Sequence, residues 1–142
     1  MKHLSLLIAS LTVTAALGCS SNDTPTGGSG GRSVKATPSF ATDVQEIFSR
    51  RGCTDASCHG AAVSEGLDLR AGAAYANLVN VTSTQDNAKS RVLPGDAQNS
   101  YIVIKVEGRQ TVGEQMPFGL APLDSIDLTN LRTWIDQGAL NN

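Results

Sequence analysis

Rings and imidazoles are what this chain has least of. Three Phe, two Tyr and one Trp serve 142 residues, so aromatic packing alone cannot fill an interior. Histidine stops at His3 and His59, which rules out a two-histidine copper centre once the leader is gone and leaves no convincing Ser–His–Asp set. Charge is weak as well: eleven cations face thirteen carboxylates, a formal −2. With no basic stripe, nucleic acid is excluded as a partner. The one long apolar run, Leu4 to Leu17, is interrupted by Ser5, Ser10, Thr12 and Thr14. It falls short of the roughly 20 residues that a membrane-spanning helix needs. Cysteine is limited to Cys19, Cys53 and Cys58, an odd number that leaves one thiol over if the other two act together.

What is present begins with that apolar run. MKHLSLLIASLTVTAALGCSS has a basic start at Lys2, an apolar middle and small residues before Cys19, the layout of a secretory signal expected to be removed as residues 1–18. Ala16-Leu17-Gly18-Cys19 resembles the lipobox of bacterial lipoproteins, with the leucine two places before the cysteine instead of the usual three. The resemblance implies acylation of Cys19, and Ser20 after it resembles an outer-membrane sorting signal. Acyl chains contribute about 0.8 kcal/mol per buried methylene, so several anchor a domain stably to a membrane surface. With Cys19 lipidated, Cys53 and Cys58 remain as a pair, His59 is the sole histidine, and ten cations against thirteen carboxylates give a charge of −3. Residues 19–37 then read as the lipidated cysteine and a Gly/Ser-rich tether with a root-mean-square span on the order of 25 Å.

The folded domain is expected over 38–142. Phe40, Val44, Ile47 and Phe48 recur at helical spacing, with Asp43 and Glu46 near the positive end of the dipole and Gly52 as a stop, which predicts a helix over 40–51. GLDL after the cysteines reads as extended or turn, AGAAYANLV (71–79) as a short helix. Residues 80–99 are polar and close on the turn signal Leu93-Pro94-Gly95-Asp96, so they read as surface loop. SYIVIKV (100–106) is equivocal: β-branched residues favour a strand, while Tyr101, Ile104 and Lys105 share one face of a helix. Residues 107–122 read as loop. Ile126, Leu128, Leu131, Trp134 and Ile135 form the stripe of a last helix, with Asp124 or Ser125 to cap it and Gly138 to stop it. The fold class is therefore mainly α, with long loops. So small and glycine-rich a domain is marginal unless something large and apolar is buried in it.

CTDASCHG, residues 53–60, carries the chemistry. Haem attachment of the c type needs two thiols to add across the porphyrin vinyl groups and a histidine directly after the second, so that imidazole reaches iron. The Cys58-His59 adjacency is intact, while the usual two-residue spacer is lengthened to Thr54-Asp55-Ala56-Ser57. A four-residue spacer resembles that of some multihaem cytochromes. Gly60 is expected to keep a side chain away from the haem edge. Two other readings stand beside this one. A Cys53–Cys58 disulfide suits an exported protein, and a zinc site would need a carboxylate to complete Cys53, Cys58 and His59. Downstream, Met116-Pro117 lies in a glycine-containing loop, where a thioether can supply a sixth ligand to haem iron; the alternative is an ordinary core methionine.

SFATDVQEIFSRRGCTDASCHG, GLDL, VLPGDAQNSYIVIKVEG, MPFG and a closing WIDQGAL occur in that order, and together they resemble the planctomycete-type branch of class I cytochromes c over about residues 38–140. The resemblance implies one covalent haem c, with Cys53 and Cys58 as thioether positions and His59 and Met116 as axial ligands of the iron. It also implies that Trp134 and Ile135 pack against Phe40, Val44 and Phe48 to close the pocket. The lengthened spacer admits attachment through one thioether only. Arg91 is read either as a partner for a haem propionate or as a solvated loop residue; Tyr75, Tyr101 and Phe118 are read as pocket lining or core.

The expected function is a monohaem one-electron carrier, not an enzyme, facing the periplasm or the outer membrane. It would meet a redox partner protein transiently and be held to the membrane by its lipid. An open sixth position would give peroxidase-like chemistry instead. The rival is a haem-free lipoprotein interaction domain stapled by a Cys53–Cys58 disulfide.

Overall fold

The structure, a computed structural model, describes residues 32–142. The leader, Cys19 and the tether up to residue 31 lie outside the described residues. Within them the protein is mainly helical, with four α-helices and no strands. A wide π-type turn, Phe40–Val44, leads into α1 (Gln45–Arg50); α2 is Ala74–Leu78, α3 Tyr101–Glu107 and α4 Ser125–Asp136. The wide turn arises because the Val44 N–H reaches back five residues to the Ser39 carbonyl, at 3.1 Å. It buries Phe40 and Val44 and hands on to Ile47 and Phe48 on the same buried side. Gly52, at φ +69°, turns the chain out of α1.

The longest helix starts where its sequence says it should. Asp124 Oδ1 accepts from the N–H groups of Ile126 and Asp127 at 3.1 and 3.0 Å, satisfying two donors that the first turn leaves unpaired. Its buried stripe is Leu131, Trp134 and Ile135 together with Asp127 and Asn130, while Ile126 and Leu128 are half-buried. Trp134 meets Phe40 at 5.1 Å between ring centroids, and Phe40 meets Tyr75 edge-on at 5.3 Å. Both polar ends are satisfied, Trp134 Nε1 donating to the Leu140 carbonyl at 2.8 Å and the Tyr75 hydroxyl to Ala139 at 2.9 Å. Three of the six rings thus form the centre of the core.

SYIVIKV is a helix. No strand lies alongside to pair with it among the described residues, and the burial of Tyr101, Ile104 and Lys105 follows the helical spacing. Ser100 before it is fully buried and pins the preceding turn: its hydroxyl donates to the Asp96 carbonyl and accepts from the Leu93 N–H, both at 2.8 Å. Gly108, at φ +72°, supplies the left-handed cap.

Residues 80–99 differ from the surface loop expected of their polarity. Ser83, Arg91, Val92 and Ala97 are buried, and two isolated bridges, Val79 with Val92 and Thr82 with Ser90, fold the segment back on itself. Among the described residues no helix is long and apolar enough to cross a membrane.

Residues 32–37, tether by composition, lie bonded to α4 and its cap. Arg32 donates to Asp127 at 2.7 Å and to Asp124 at 2.9 Å. The Lys35 N–H and Ser33 carbonyl both bond the Asn130 side chain, and Gln137 donates to the Ala36 carbonyl. Asp127 Oδ1 also accepts from Arg50 at 2.6 Å, so a buried carboxylate joins the strap to α1. The Arg32 hydrogen bond, then the Asp127 N–H, hold Asp124 down to about 2 from an ordinary 3.8. A depressed carboxylate stabilises the fold above its unfolded value and loses that contribution as pH falls through the folded one. The urea midpoint is therefore expected to fall between pH 4 and pH 2, and to fall less in Asp124→Asn. Because the Asp124 side chain is 40 % exposed, the difference should stay below about 1 kcal/mol. Equal slopes in the two proteins would exclude the Arg32 contact as its source.

Candidate functional site

The Cys53–Gly60 loop leaves α1 immediately after Gly52 and is held by its own backbone. Cys53 N–H bonds the Phe48 carbonyl at 2.9 Å, His59 N–H the Cys53 carbonyl at 3.1 Å, and the N–H groups of Cys58 and Gly60 both bond Asp55. The four-residue spacer is thereby folded into a compact turn that bulges into solvent, residues 55–58 being exposed. Gly60 is needed at its neck. A Cβ there would lie 2.2 Å from the Thr54 carbonyl oxygen and 2.7 Å from that of Asp55, so glycine is required by the loop's own closure. This is a requirement of the apoprotein itself, beside the haem-edge role expected of Gly60. Gly60→Ala is expected to cost about 3 kcal/mol, the upper range for overpacking, read as a drop in the urea midpoint. A cost under about 0.5 kcal/mol would mean that the spacer opens without penalty.

The two cysteines are free thiols in different surroundings. Cys53 is half-buried and packs against the core cluster, and burial pushes its thiol up to about 11. Cys58 is exposed, its sulfur 3.8 Å from the Ser57 hydroxyl.

His59 is half-buried, and its ring orientation is set. Nδ1 lies 3.0 Å from the carbonyl oxygen of Ser64. A carbonyl has no proton to give, so Nδ1 carries the hydrogen and Nε2 keeps its lone pair for a metal or another donor. The Leu69 N–H bonds the His59 carbonyl at 2.7 Å, tying the histidine to the GLDL segment, whose Leu69 is core.

Met116 is placed by α3. Its N–H bonds the Lys105 carbonyl at 2.9 Å, and Gln115 donates to the Val106 carbonyl at 3.1 Å. Met116 is half-buried, in a groove of about 280 Å³ that Pro117, Phe118, Leu120 and Pro122 also line. The groove's loop adjoins the cysteine loop: Arg51 donates to the carbonyls of Ala121 and Pro122, and Leu120 Cδ1 sits 3.6 Å from where a Cβ on Gly52 would stand. Phe118 and Leu120 are 68 % and 60 % exposed, and Val112 is half exposed. Phe118 and Leu120 therefore stand uncovered in the groove that holds the one thioether of the domain.

The structure thus gathers Cys53, Cys58 and His59 on one loop and sets Met116 on the loop beside it; Cys19 lies outside the described residues. Among the described residues no three His, Cys, Asp or Glu side chains converge as a metal centre. Arg91 is buried instead of solvated, with its guanidinium bonded to three backbone carbonyls. Tyr75 belongs to the core, and the buried Tyr101 reaches only Gln85, at 3.5 Å. Ser64 is the residue that sequence alone does not mark; it acts through its carbonyl, which no side-chain pattern reports. Comparison with family models, with curated proteins and with solved structures returns no match.

Proposed function

We propose that the domain is a monohaem cytochrome c of the class I type, tethered to the cell envelope and carrying single electrons. The observation that carries this reading is the His59 imidazole, its Nδ1 hydrogen bonded to Ser64 and its Nε2 left as donor, directly after an exposed thiol. Cys58 and Cys53 would hold the porphyrin through sulfur, His59 would bind the iron from one side and Met116 from the other. When bound, haem supplies reversible Fe(II)/Fe(III) chemistry with no bond made or broken in a substrate.

The chain's own residues do the rest. Ser64 fixes the imidazole's rotation and makes it a better donor. The apolar side chains of Phe118 and Leu120, exposed in the groove beside the thioether, suit a large apolar ring and would keep water from the iron. Among the described residues no three His, Cys, Asp or Glu side chains converge, so the four ligands of a structural zinc site are not assembled there. Residues 55–58 and 112–120, exposed in large part, would be the face offered to a redox partner.

Protein produced with the haem-ligation machinery should gain the mass of one haem, resistant to acid acetone, and show sharp reduced-state bands. Colourless protein lighter by two hydrogens would establish the disulfide-stapled interaction domain instead. One thiol of the Cys53 and Cys58 pair still open to alkylation in haem-bearing protein would reveal attachment through a single cysteine.

A further inference from the structure

Arg91 is 7 % exposed and has no carboxylate partner among the described residues. A buried guanidinium normally pairs with an anion. Here it spreads over backbone: Nη1 donates to the Asn77 carbonyl at 2.9 Å, and Nη2 to those of Glu65 and Gly66 at 3.0 and 3.2 Å. Burial lowers its proton affinity, yet an arginine stays charged.

The turn that it grips is strained. Val63 and Glu65 stand at φ +49° and +57°, a region that non-glycine residues seldom occupy and where a β-branched residue is an outlier. Between them lies Ser64, whose carbonyl takes the His59 Nδ1 hydrogen at 3.0 Å and whose N–H bonds the Cys58 carbonyl at 3.1 Å. Thr84 adds a second donor to the Glu65 carbonyl, at 3.0 Å. A left-handed turn of this kind persists only where its surroundings over-determine it.

We propose that Arg91 is the positioning residue for His59: by clamping the 65–66 carbonyls to Asn77, it holds the strained turn in which the Ser64 carbonyl meets the imidazole. Its role in electron transfer rests on the haem reading, but the positioning itself does not. Arg91 fixes which ring nitrogen is left free before any cofactor arrives.

The test uses the full chain made without haem, carrying His3→Gln so that one imidazole remains, and reads the tautomer from long-range ¹⁵N–¹H correlations above the imidazole's titration. The parent should be dominated by Nδ1–H. Arg91→Met should move the ratio toward Nε2–H by roughly five-fold, the factor expected for one hydrogen bond. Arg91→Lys, with a point charge in place of the fork, should fall between them. A folded Arg91→Met with the parent's tautomer ratio overturns the proposal; should that variant not fold, an unchanged ratio in Arg91→Lys overturns it. Where holoprotein forms, Arg91→Lys should also have a higher reduction potential, because an imidazole without its acceptor is the poorer donor to ferric iron. Colourless parent protein would defeat the electron-carrier reading and leave the tautomer result standing, whereas an unmoved tautomer in the haem-free variants, with a parent that turns red when haem is ligated, would do the reverse.

Discussion

Replacing His59 by alanine, in protein made with haem-ligation machinery, is expected to abolish the low-spin spectrum altogether. His59 is the only histidine beyond His3, so no second imidazole can take its place. Its Nε2 is the one uncommitted imidazole nitrogen on the cysteine loop, because Nδ1 is engaged by Ser64. The thiols would still be present, Cys58 exposed and Cys53 against the core, so any haem retained should be covalent but five-coordinate or high-spin. Met116→Ala provides the contrast. There the imidazole remains, and the expected change is a lower reduction potential with an opened sixth position, since a thioether favours the ferrous state. The absorption spectrum and a potentiometric titration distinguish the two. A low-spin spectrum surviving in His59→Ala would mean that a different residue binds the iron.

The largest loss of stability should come from Trp134→Ala. The ring is 1 % exposed, lies 5.1 Å from Phe40, and ends in a hydrogen bond to the Leu140 carbonyl. Truncating a fully buried tryptophan costs about 3–5 kcal/mol once the cavity is counted. Domains of this size are stable by about 5–15 kcal/mol in total, so the variant should unfold some 15–30 °C lower. Phe40 would lose its face contact, loosening the π-type turn that leads into the cysteine loop through α1. Trp134→Phe, which keeps most of the volume, should lose less than half as much. Far-UV circular dichroism against urea is the measurement, because the only tryptophan is gone. A loss below about 1 kcal/mol would place the ring outside the cooperative core.

The parts legible in the sequence are those whose information is local. α4 shows its apolar stripe, its Asp124 cap and its Gly138 stop within fifteen residues, and all three recur in the structure. α3 is equivocal in the sequence because Ile102, Val103 and Ile104 suit either geometry; the lack of a partner strand among the described residues and the buried Lys105 decide it, and neither is a local property. Arg91 reads as a surface residue because arginine usually is one. Its burial follows from three carbonyls, on segments 65–66 and 77, that no helix satisfies. Gly60 stands out in the sequence beside the histidine, and the structure adds a requirement that no local pattern shows, the close approach of the Thr54 and Asp55 carbonyls. Arg32 looked like one polar residue in a tether, and its partners are more than ninety positions away. On the site itself, the residue types and their order carried the signal, while the carbonyl of Ser64 that orients His59 carried none.

The strap formed by residues 32–37 shortens the leash. Were Cys19 lipidated, the connector would meet the bonded part of the domain at residue 32 instead of at residue 38, because Arg32 is already bonded to Asp124 and Asp127. A Gly/Ser-rich connector of that shorter length would, by composition, span about 20 Å root-mean-square. The volume that the domain sweeps scales with the cube of that reach and drops to roughly half, which about doubles its effective concentration toward any partner fixed in the same membrane. On a lipidated chain, the strap held by Arg32, Ser33, Lys35 and Ala36 would thereby set how often the domain met a membrane-bound neighbour, without touching either one's contact face.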